Sequence, residues 1–270
     1  MKKLFLLGFI LSFALTSTSV LAQFGEPEVR RPDSPKNLYD EGYRSGFGFF
    51  VGVSDFGLGV GAQYRKVFSK YTEGLINFKI SGIKDPREQT YIDYFFGTKT
   101  IPDKYRKVVS FPLTVGLKKR LFAETISDNF RVFASAAGGP VLAYTFPYFQ
   151  DINGNGFREN NVFIYNLNEP TYDIFTGWKD GESHFGWTGE IQMGIDFNSN
   201  FARLQSMQFG YTFMYFDEGL QIMQPNRPDL DPQGRIQYDA QDRLIVEPDY
   251  DAKSFYGTAQ ISFVFGWMWK

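Results

Sequence analysis

Apolar and polar residues alternate along the C-terminal segment Phe255–Trp269. Its odd positions carry bulky apolar side chains, apart from Gly257 and Ala259, and they finish at Trp267 and Trp269. Its even positions form a largely polar face. A period of two residues with one aromatic-tipped apolar face predicts a β-strand that lies between lipid and a wet interior.

Seven earlier segments alternate in the same way, with varying clarity. They are Phe47–Val53, Leu58–Val67, Leu75–Gly82, Val108–Leu121, Phe130–Phe146, Phe185–Phe197 and Met207–Tyr215. Phe130–Phe146 is the weakest, because it is rich in small residues and contains Pro140, which cannot donate to a strand ladder. The C-terminal segment should pair with Phe47–Val53, which would close a ring of eight strands.

The lengths of the connections test this interpretation independently. If the first strand runs outward, the inner turns Phe68–Glu73, Phe122–Asn129 and Asn198–Gln205 are all short. The long connections, which are Ile83–Lys107, Pro147–Ser183 and Asp217–Ser254, then all fall at the other end. This parity is typical of bacterial outer-membrane barrels. The sequence therefore predicts an all-β fold, an eight-stranded antiparallel up-and-down transmembrane β-barrel with long extracellular loops.

Two loop segments leave a ten-stranded barrel open as an alternative. Thr90–Phe96 is short and contains Asp93, and Arg235–Val246 looks like a hairpin around Ala240 and Gln241. Neither has enough apolar positions for a lipid-facing stripe. We expect both to be strand extensions or hairpins above the membrane.

The N-terminus has the features of a secretory signal peptide. Lys2 and Lys3 precede the apolar stretch Leu4–Leu15, and cleavage is expected after Ala22. We therefore divide the chain into a signal peptide over 1–22, a polar periplasmic leader over 23–45 and a barrel domain over 46–270. The chain contains no cysteine, which excludes both a disulfide framework and a lipoprotein attachment site.

From Gly46 to Trp269, the chain resembles the small outer-membrane β-barrel family of Gram-negative bacteria, in its eight-stranded OmpA/OmpX-like form. The resemblance rests on the strand pattern and not on a diagnostic motif. Family members commonly finish on a phenylalanine that the assembly machinery reads, whereas this chain ends Trp267-Met268-Trp269-Lys270. The resemblance implies a place in the cell outer membrane, in contact with its lipid and lipopolysaccharide.

Charged residues fall on the predicted inward faces of the strands. They are Arg65, Lys79, Lys118, Arg120, Arg131, Glu190 and Asp196. We expect them to cluster near the inner end of the barrel, except Lys79 and Glu190, which should lie nearer its middle. Buried charges persist when they are paired, so the set predicts a salt-bridged plug in the lumen. The alternative is a narrow polar pore, in which the surplus of bases would favour anions.

The one histidine, His184, is predicted to point inward at the outer end of its strand. Some barrel enzymes modify lipid A with a histidine, a serine and a carboxylate. The residues around it, Ser183-His184-Phe185-Gly186, lack the motifs of the lipid A hydrolases and acyltransferases. We therefore expect no catalytic residues, and a lipid A-modifying enzyme is the less favoured alternative.

The sharpest local motif begins at Asp151. Asp151, Asn153, Asn155 and Glu159 place oxygen atoms at positions 1, 3, 5 and 9, and Gly156 occupies position 6. This matches the first part of a calcium loop, although an EF-hand needs a glutamate at position 12, where this chain has a valine. The alternative is an Asn/Gly-rich turn that binds no metal. Calcium is the only cofactor that the sequence indicates.

Charge and composition narrow the function further. Without the two signal lysines, the chain has 26 basic and 30 acidic residues, which gives no basic patch for nucleic acid. Two long loops are acidic, with net charges of −4 over Pro147–Ser183 and −5 over Asp217–Ser254. Such loops beside lipid phosphates would favour bridging divalent cations. The sequence predicts a non-enzymatic structural or surface-interaction protein whose loops meet a protein or glycan partner.

Overall fold

The structure, a computed structural model, describes residues 35–93, 98–126, 128–159, 171–173, 175–197 and 200–270. The predicted signal peptide, its cleavage site and the first part of the predicted leader lie outside these residues. In the part of the chain that is described, no helix is long and apolar enough to cross a membrane.

Eight long strands form a closed antiparallel barrel. They are β1 (Ser45–Ser54), β2 (Gly57–Ser69), β3 (Thr72–Gly82), β6 (Arg106–Arg120), β7 (Phe130–Pro147), β8 (Glu182–Phe197), β9 (Arg203–Leu220) and β12 (Lys253–Trp269). Their order around the barrel is β1, β12, β9, β8, β7, β6, β3 and β2. Phe47 lies opposite Trp267 where β1 meets β12, so the predicted pairing of the first and last strands is confirmed. The end with the short turns is called the inner end, and the end with the long loops the outer end.

Among the described residues, four short strands lie outside the ring. They are β4 (Tyr91–Asp93), β5 (Thr98–Thr100), β10 (Asn226–Pro228) and β11 (Val246–Pro248), and a short 3-10 helix spans Trp178–Asp180. β4 pairs with β5, and β10 pairs with β11, as separate two-stranded sheets. The ten-stranded alternative is therefore wrong, because both loop segments form their own hairpins instead of joining the barrel.

The wall of the barrel is apolar on its outer surface. Along β12, Phe265 and Trp267 are about half exposed, whereas Ser262 and Val264 are fully buried. The same alternation follows β8, where Trp187 is exposed. An apolar band that encircles the molecule is suited to lipid and not to water, as the sequence pattern predicts.

β7 is continuous in spite of Pro140. It pairs with β8 along its whole length, and Pro140 lies opposite Trp187. On the other side, the pairing with β6 stops at Val141 and resumes at Gly138. Since proline has no N–H, this short gap toward β6 is where the missing donor is accommodated.

The barrel strands extend farther than the apolar pattern indicates. β9 continues to Leu220, five residues beyond the predicted segment, because Phe216 and Leu220 still point into the barrel. At the inner end, Leu38 and Tyr43 pack against buried residues of the barrel. The backbone N–H of Arg44 also donates to the carbonyl of Trp269 at 2.9 Å. Residues 35–44, within the predicted leader, thus fold against the inner mouth.

Candidate functional site

A cluster of charges surrounds Asp196 inside the barrel, toward the inner end. The Nη1 atom of Arg65 lies 3.2 Å from Asp196 Oδ1, and Lys118 forms an ion pair with Oδ2. The hydroxyl of Ser206 also donates to the Asp196 carboxylate. All four residues are buried. Since they come from β2, β6, β8 and β9, the cluster ties together strands from different sides of the barrel.

Glu73 belongs to the same cluster, although the sequence analysis placed it in a turn. It is the second residue of β3, and its carboxylate lies 3.2 Å from Lys118 Nζ and 3.7 Å from Arg65 Nη1. Strand parity could have revealed it, because Glu73 is two residues before the inward-facing Leu75. With Glu73 the cluster has two acids for its two closest bases.

Arg120 and Arg131 lie at the inner rim of this cluster. The Nη2 atom of Arg120 lies 2.8 Å from Asp128 Oδ1, and its Nη1 donates to the carbonyl of Lys36 at 2.7 Å. Arg131 donates to the carbonyl of Asp128 at 3.0 Å, and its guanidinium lies 4.6 Å from the ring centroid of Phe201. Asp128 was also missed in the sequence, because it lies in the turn before β7.

A second cluster is centred on Glu190, in the middle of β8. Its carboxylate forms an ion pair with Lys79. It accepts hydrogen bonds from Asn77 at 2.7 Å, Thr114 at 3.1 Å and Gln192 at 3.0 Å. Burying a carboxylate is costly unless its oxygens are satisfied, and here four donors satisfy them.

Apolar side chains fill the lumen beside and beyond the charges. The outer cluster consists of Ile83, Val108, Val141, Ala143, Met214, Phe216, Leu220, Ile222 and Tyr256. The inner cluster consists of Phe50, Val67, Leu204, Val264 and Met268. Val67 is the next lumen-facing residue after Arg65 on β2, toward the inner end. Leu204 has the same relation to Ser206 on β9. The cavity beside Lys79 measures about 30 Å³, which is room for about one or two water molecules.

Loop segments above the outer cluster are held together by backbone hydrogen bonds. The N–H of Tyr105 donates to Ile222 O at 2.8 Å, that of Tyr148 to Tyr105 O at 2.8 Å, and that of Tyr172 to Tyr148 O at 2.9 Å. Three of the long loops thus contribute to one layer of extended backbone. We call the described loop residues at the outer end the outer cap.

Ion pairs fix the loop between β3 and β6 within the outer cap. Lys104 Nζ lies 2.9 Å from Glu88 Oε2, and Arg87 Nη2 lies 2.8 Å from Asp85 Oδ2. Burial of Asp85 raises the pKa of its carboxyl, but hydrogen bonds and charge from Arg87 outweigh burial and lower that pKa overall. Asp85 is therefore ionised at neutral pH.

The loop between β10 and β11 contains the same turn twice. Asp231 Oδ1 accepts a hydrogen bond from the N–H of Arg235 at 2.9 Å, and Asp239 Oδ1 accepts one from Arg243 at 2.9 Å. In each turn the arginine guanidinium returns to the aspartate, at 2.9 Å and 2.8 Å. These backbone hydrogen bonds are the main reason that the pKa of each aspartate is lowered. The repeated spacing D-x-Q-x-R, eight residues apart, was the signal in the sequence.

The predicted calcium residues form a hydrogen-bonded loop. Glu159 Oε1 accepts hydrogen bonds from Asn153 Nδ2 at 2.6 Å and Asn155 Nδ2 at 3.1 Å. Asp151 Oδ2 accepts one from the N–H of Gly156 at 3.0 Å, and Gly156 has the positive φ that such a turn needs. Among the described residues, no group of three or more His, Cys, Asp or Glu side chains is arranged to hold a metal ion. The loop brings the side chains of Asn153 and Asn155 to Glu159, and the calcium site stays a prediction.

His184 lies at the outer end of β8, with its Nε2 atom 3.2 Å from the hydroxyl of Thr145. The nearby carboxylate of Glu182 instead pairs with Arg106, at 2.7 Å from Nη1. The histidine thus lies beside a threonine, and the carboxylate of Glu182 is paired with Arg106 instead of with the histidine.

No protein-family model matches this chain, and no curated protein matches it. Among solved structures, it is similar to Ail, the attachment invasion locus protein of Yersinia pestis, crystallised in complex with the heparin analogue sucrose octasulfate. The two are 10% identical, the match covers 83% of this chain and 95% of Ail, and the TM-score is 0.31. The barrel architecture described above rests on the strand pairing of this chain.

Proposed function

We propose that this protein is a barrel of the bacterial outer membrane that acts as a non-enzymatic binding protein through its outer cap. The observation that carries the proposal is the filled lumen, in which two apolar clusters flank paired charges. A lumen filled in this way leaves the outer cap as the structured surface that can meet a partner. The apolar outer surface and the short inner turns support a place in the outer membrane.

The filled lumen also argues against the narrow-pore alternative. The surplus of bases that would favour anions is small once Glu73 and Asp128 are added to Glu190 and Asp196. We expect purified protein in planar bilayers to show no conductance above that of the empty bilayer. Steady conductance that a lumen variant such as Glu190→Gln alters would overturn the proposal in favour of a pore.

A protein or glycan outside the cell is the partner class that fits the outer cap, with lipid and lipopolysaccharide around the wall. Adhesion of expressing cells to immobilised glycans and matrix proteins tests this role. A variant with Arg227–Glu247 replaced by a short Gly/Ser linker should lose a large part of the adhesion, because it removes both repeated turns. Equal adhesion of cells with and without the protein would contradict the proposal.

The enzyme alternative makes a separate prediction. If His184 were catalytic, lipid A from expressing cells would have a changed acyl pattern that is lost in His184→Ala. The pairing of Glu182 with Arg106 supports the non-enzymatic proposal, since a general base usually needs an orienting acceptor. We expect an unchanged mass spectrum of lipid A.

The proposal also includes a structural calcium ion in the loop that follows β7. Asp151 Oδ1 is buried, and among the described residues no donor meets hydrogen-bonding geometry with it. If the amides of Asn153 and Asn155 rotated by half a turn, they would present oxygen atoms toward Glu159 and give up the hydrogen bonds that these oxygens accept from the N–H groups of Asn155 and Phe157. Bound calcium would then stabilise the loop that follows β7.

A further inference from the structure

A cavity of about 230 Å³ opens between the loop that precedes β6 and the loop that follows β7, on the outer side of the barrel. Three aromatic residues line it, which are Tyr105, Tyr172 and the buried Phe149. Phe149 meets Tyr105 edge to face, with ring centroids 5.8 Å apart. We call this cavity the tyrosine cavity. Pockets that engulf drug-sized ligands measure roughly 300 Å³ and more, so this one would hold a single small ring.

The backbone around the tyrosine cavity is fixed before any ligand arrives. Tyr105, Tyr148 and Tyr172 belong to the hydrogen-bonded layer of the outer cap. Lys107 Nζ also donates to the carbonyls of Tyr172 and Asp173, at 2.6 Å each, and so ties this segment to the start of β6. A preformed site loses little conformational entropy on binding.

The polar groups of the tyrosine cavity include both signs of charge. Arg106 contributes a guanidinium, and Asp151 and Asp180 contribute carboxylates. Burial raises the pKa of the Tyr105 hydroxyl, and the charge of the nearby Asp151 carboxylate raises it further.

This mixture selects a class of ligand. A sulfated or phosphorylated group would be repelled by the two carboxylates, and the loop after β7, which supplies both of them, is acidic overall. Arg106 is already paired with Glu182, and a simple cation at the carboxylates would leave most of the cavity of about 230 Å³ unfilled. A neutral sugar suits all of these groups, because each of its hydroxyls both donates and accepts, and its C–H face packs on an aromatic ring.

We propose that the tyrosine cavity binds one neutral sugar ring of an extracellular glycan, stacked on Tyr172 with its hydroxyls bonded to Asp180 and Arg106. The inference rests on the binding role proposed for the outer cap, and it names the ligand class and the place. It also predicts discrimination against sulfated glycans, since the cavity offers them two carboxylates.

The test uses the full mature protein, folded in detergent, on an array of neutral, N-acetylated and sulfated oligosaccharides. Neutral oligosaccharides should bind, and heparin fragments should not. Tyr172→Ala should weaken that binding by about tenfold, the loss expected for one aromatic contact surface. Tyr172→Phe should keep most of it. The matched control is Tyr238→Ala, an exposed tyrosine of the loop between β10 and β11 that should leave binding unchanged.

A second variant, Asp180→Asn, distinguishes the contribution of ring stacking to sugar binding from the contribution of the carboxylate charge. It should allow sulfated oligosaccharides to bind more strongly, while Tyr172→Ala should not. The inference is overturned if no neutral oligosaccharide on the array binds, if only sulfated ones bind, or if Tyr172→Ala binds as the parent does. A further result would be lost adhesion in cells with the Arg227–Glu247 linker variant and normal adhesion in cells with Tyr172→Ala. That result would overturn the sugar site in the tyrosine cavity and leave the proposed binding role of the outer cap standing.

Discussion

Glu73 and Lys118 face each other directly across β3 and β6, and the Lys118 Nζ atom lies 3.2 Å from Glu73 Oε1 inside the barrel. Each also contacts another charge of the opposite sign, Arg65 in one case and Asp196 in the other. Two acids and two bases thus alternate in one buried ring. Every member has two partners, which is what allows four charges to remain in the lumen.

The ring predicts that Glu73→Gln destabilises the barrel. Lys118 and Arg65 would each keep Asp196 but lose half of their neutralising charge, so we expect a loss of about 1–3 kcal/mol in the free energy of unfolding. Urea unfolding in lipid vesicles measures it. Lys70→Ala is the control, because its pair with Asp40 is exposed and should contribute about 0–1 kcal/mol. Equal effects of the two substitutions would contradict a stabilising ring.

The Glu190 cluster predicts an asymmetry between its two charged members. After Lys79→Met, Glu190 keeps three hydrogen-bond donors. The free energy of unfolding of this variant should therefore fall by about 1–3 kcal/mol. After Glu190→Met, Lys79 keeps the ring face of Phe50, 4.7 Å from its Nζ atom, and the loss should reach about 3–5 kcal/mol. The double variant should lose less than the sum of both. Additive losses would indicate that the pair is not coupled.

The repeated turns predict a local transition in acid. The pKa values of Asp231 and Asp239 are lowered in the folded loop, so their hydrogen bonds stabilise it above the ordinary aspartate value of about 3.9. That stabilisation is lost as the pH falls below this value and through the folded pKa. The amide NMR signals of Arg235 and Arg243 should move in that range. Asp231→Asn should abolish the transition at Arg235 and keep it at Arg243, and a midpoint above 3.9 would contradict the assignment.

The barrel could be predicted from the sequence because its wall separates lipid from a polar lumen. Residues along each strand therefore alternate between the two, and the long loops all fall at one end. Along β12, for example, the apolar Phe265 faces outward and the polar Ser262 faces the lumen. Glu73 was missed because the end of a strand is set by its hydrogen-bonded neighbour, here β6, and not by apolar residues. The tyrosine cavity could not be predicted either, since it depends on Tyr105 and Tyr172 meeting across distant loops.

Calcium is the last prediction, and the geometry of the loop sharpens it. A cation held by both amide oxygens would replace two hydrogen bonds to Glu159 and two that these oxygens accept from the N–H groups of Asn155 and Phe157. It would gain the buried oxygen of Asp151. We therefore expect calcium to raise the melting temperature of the folded protein, and magnesium to do so less, because magnesium demands a stricter geometry. The shift should disappear in Asp151→Ala and persist in Asp242→Ala, a loop aspartate elsewhere in the outer cap. If calcium and a chelator give the same melting temperature in the parent protein, the loop is an Asn/Gly turn held by its own hydrogen bonds.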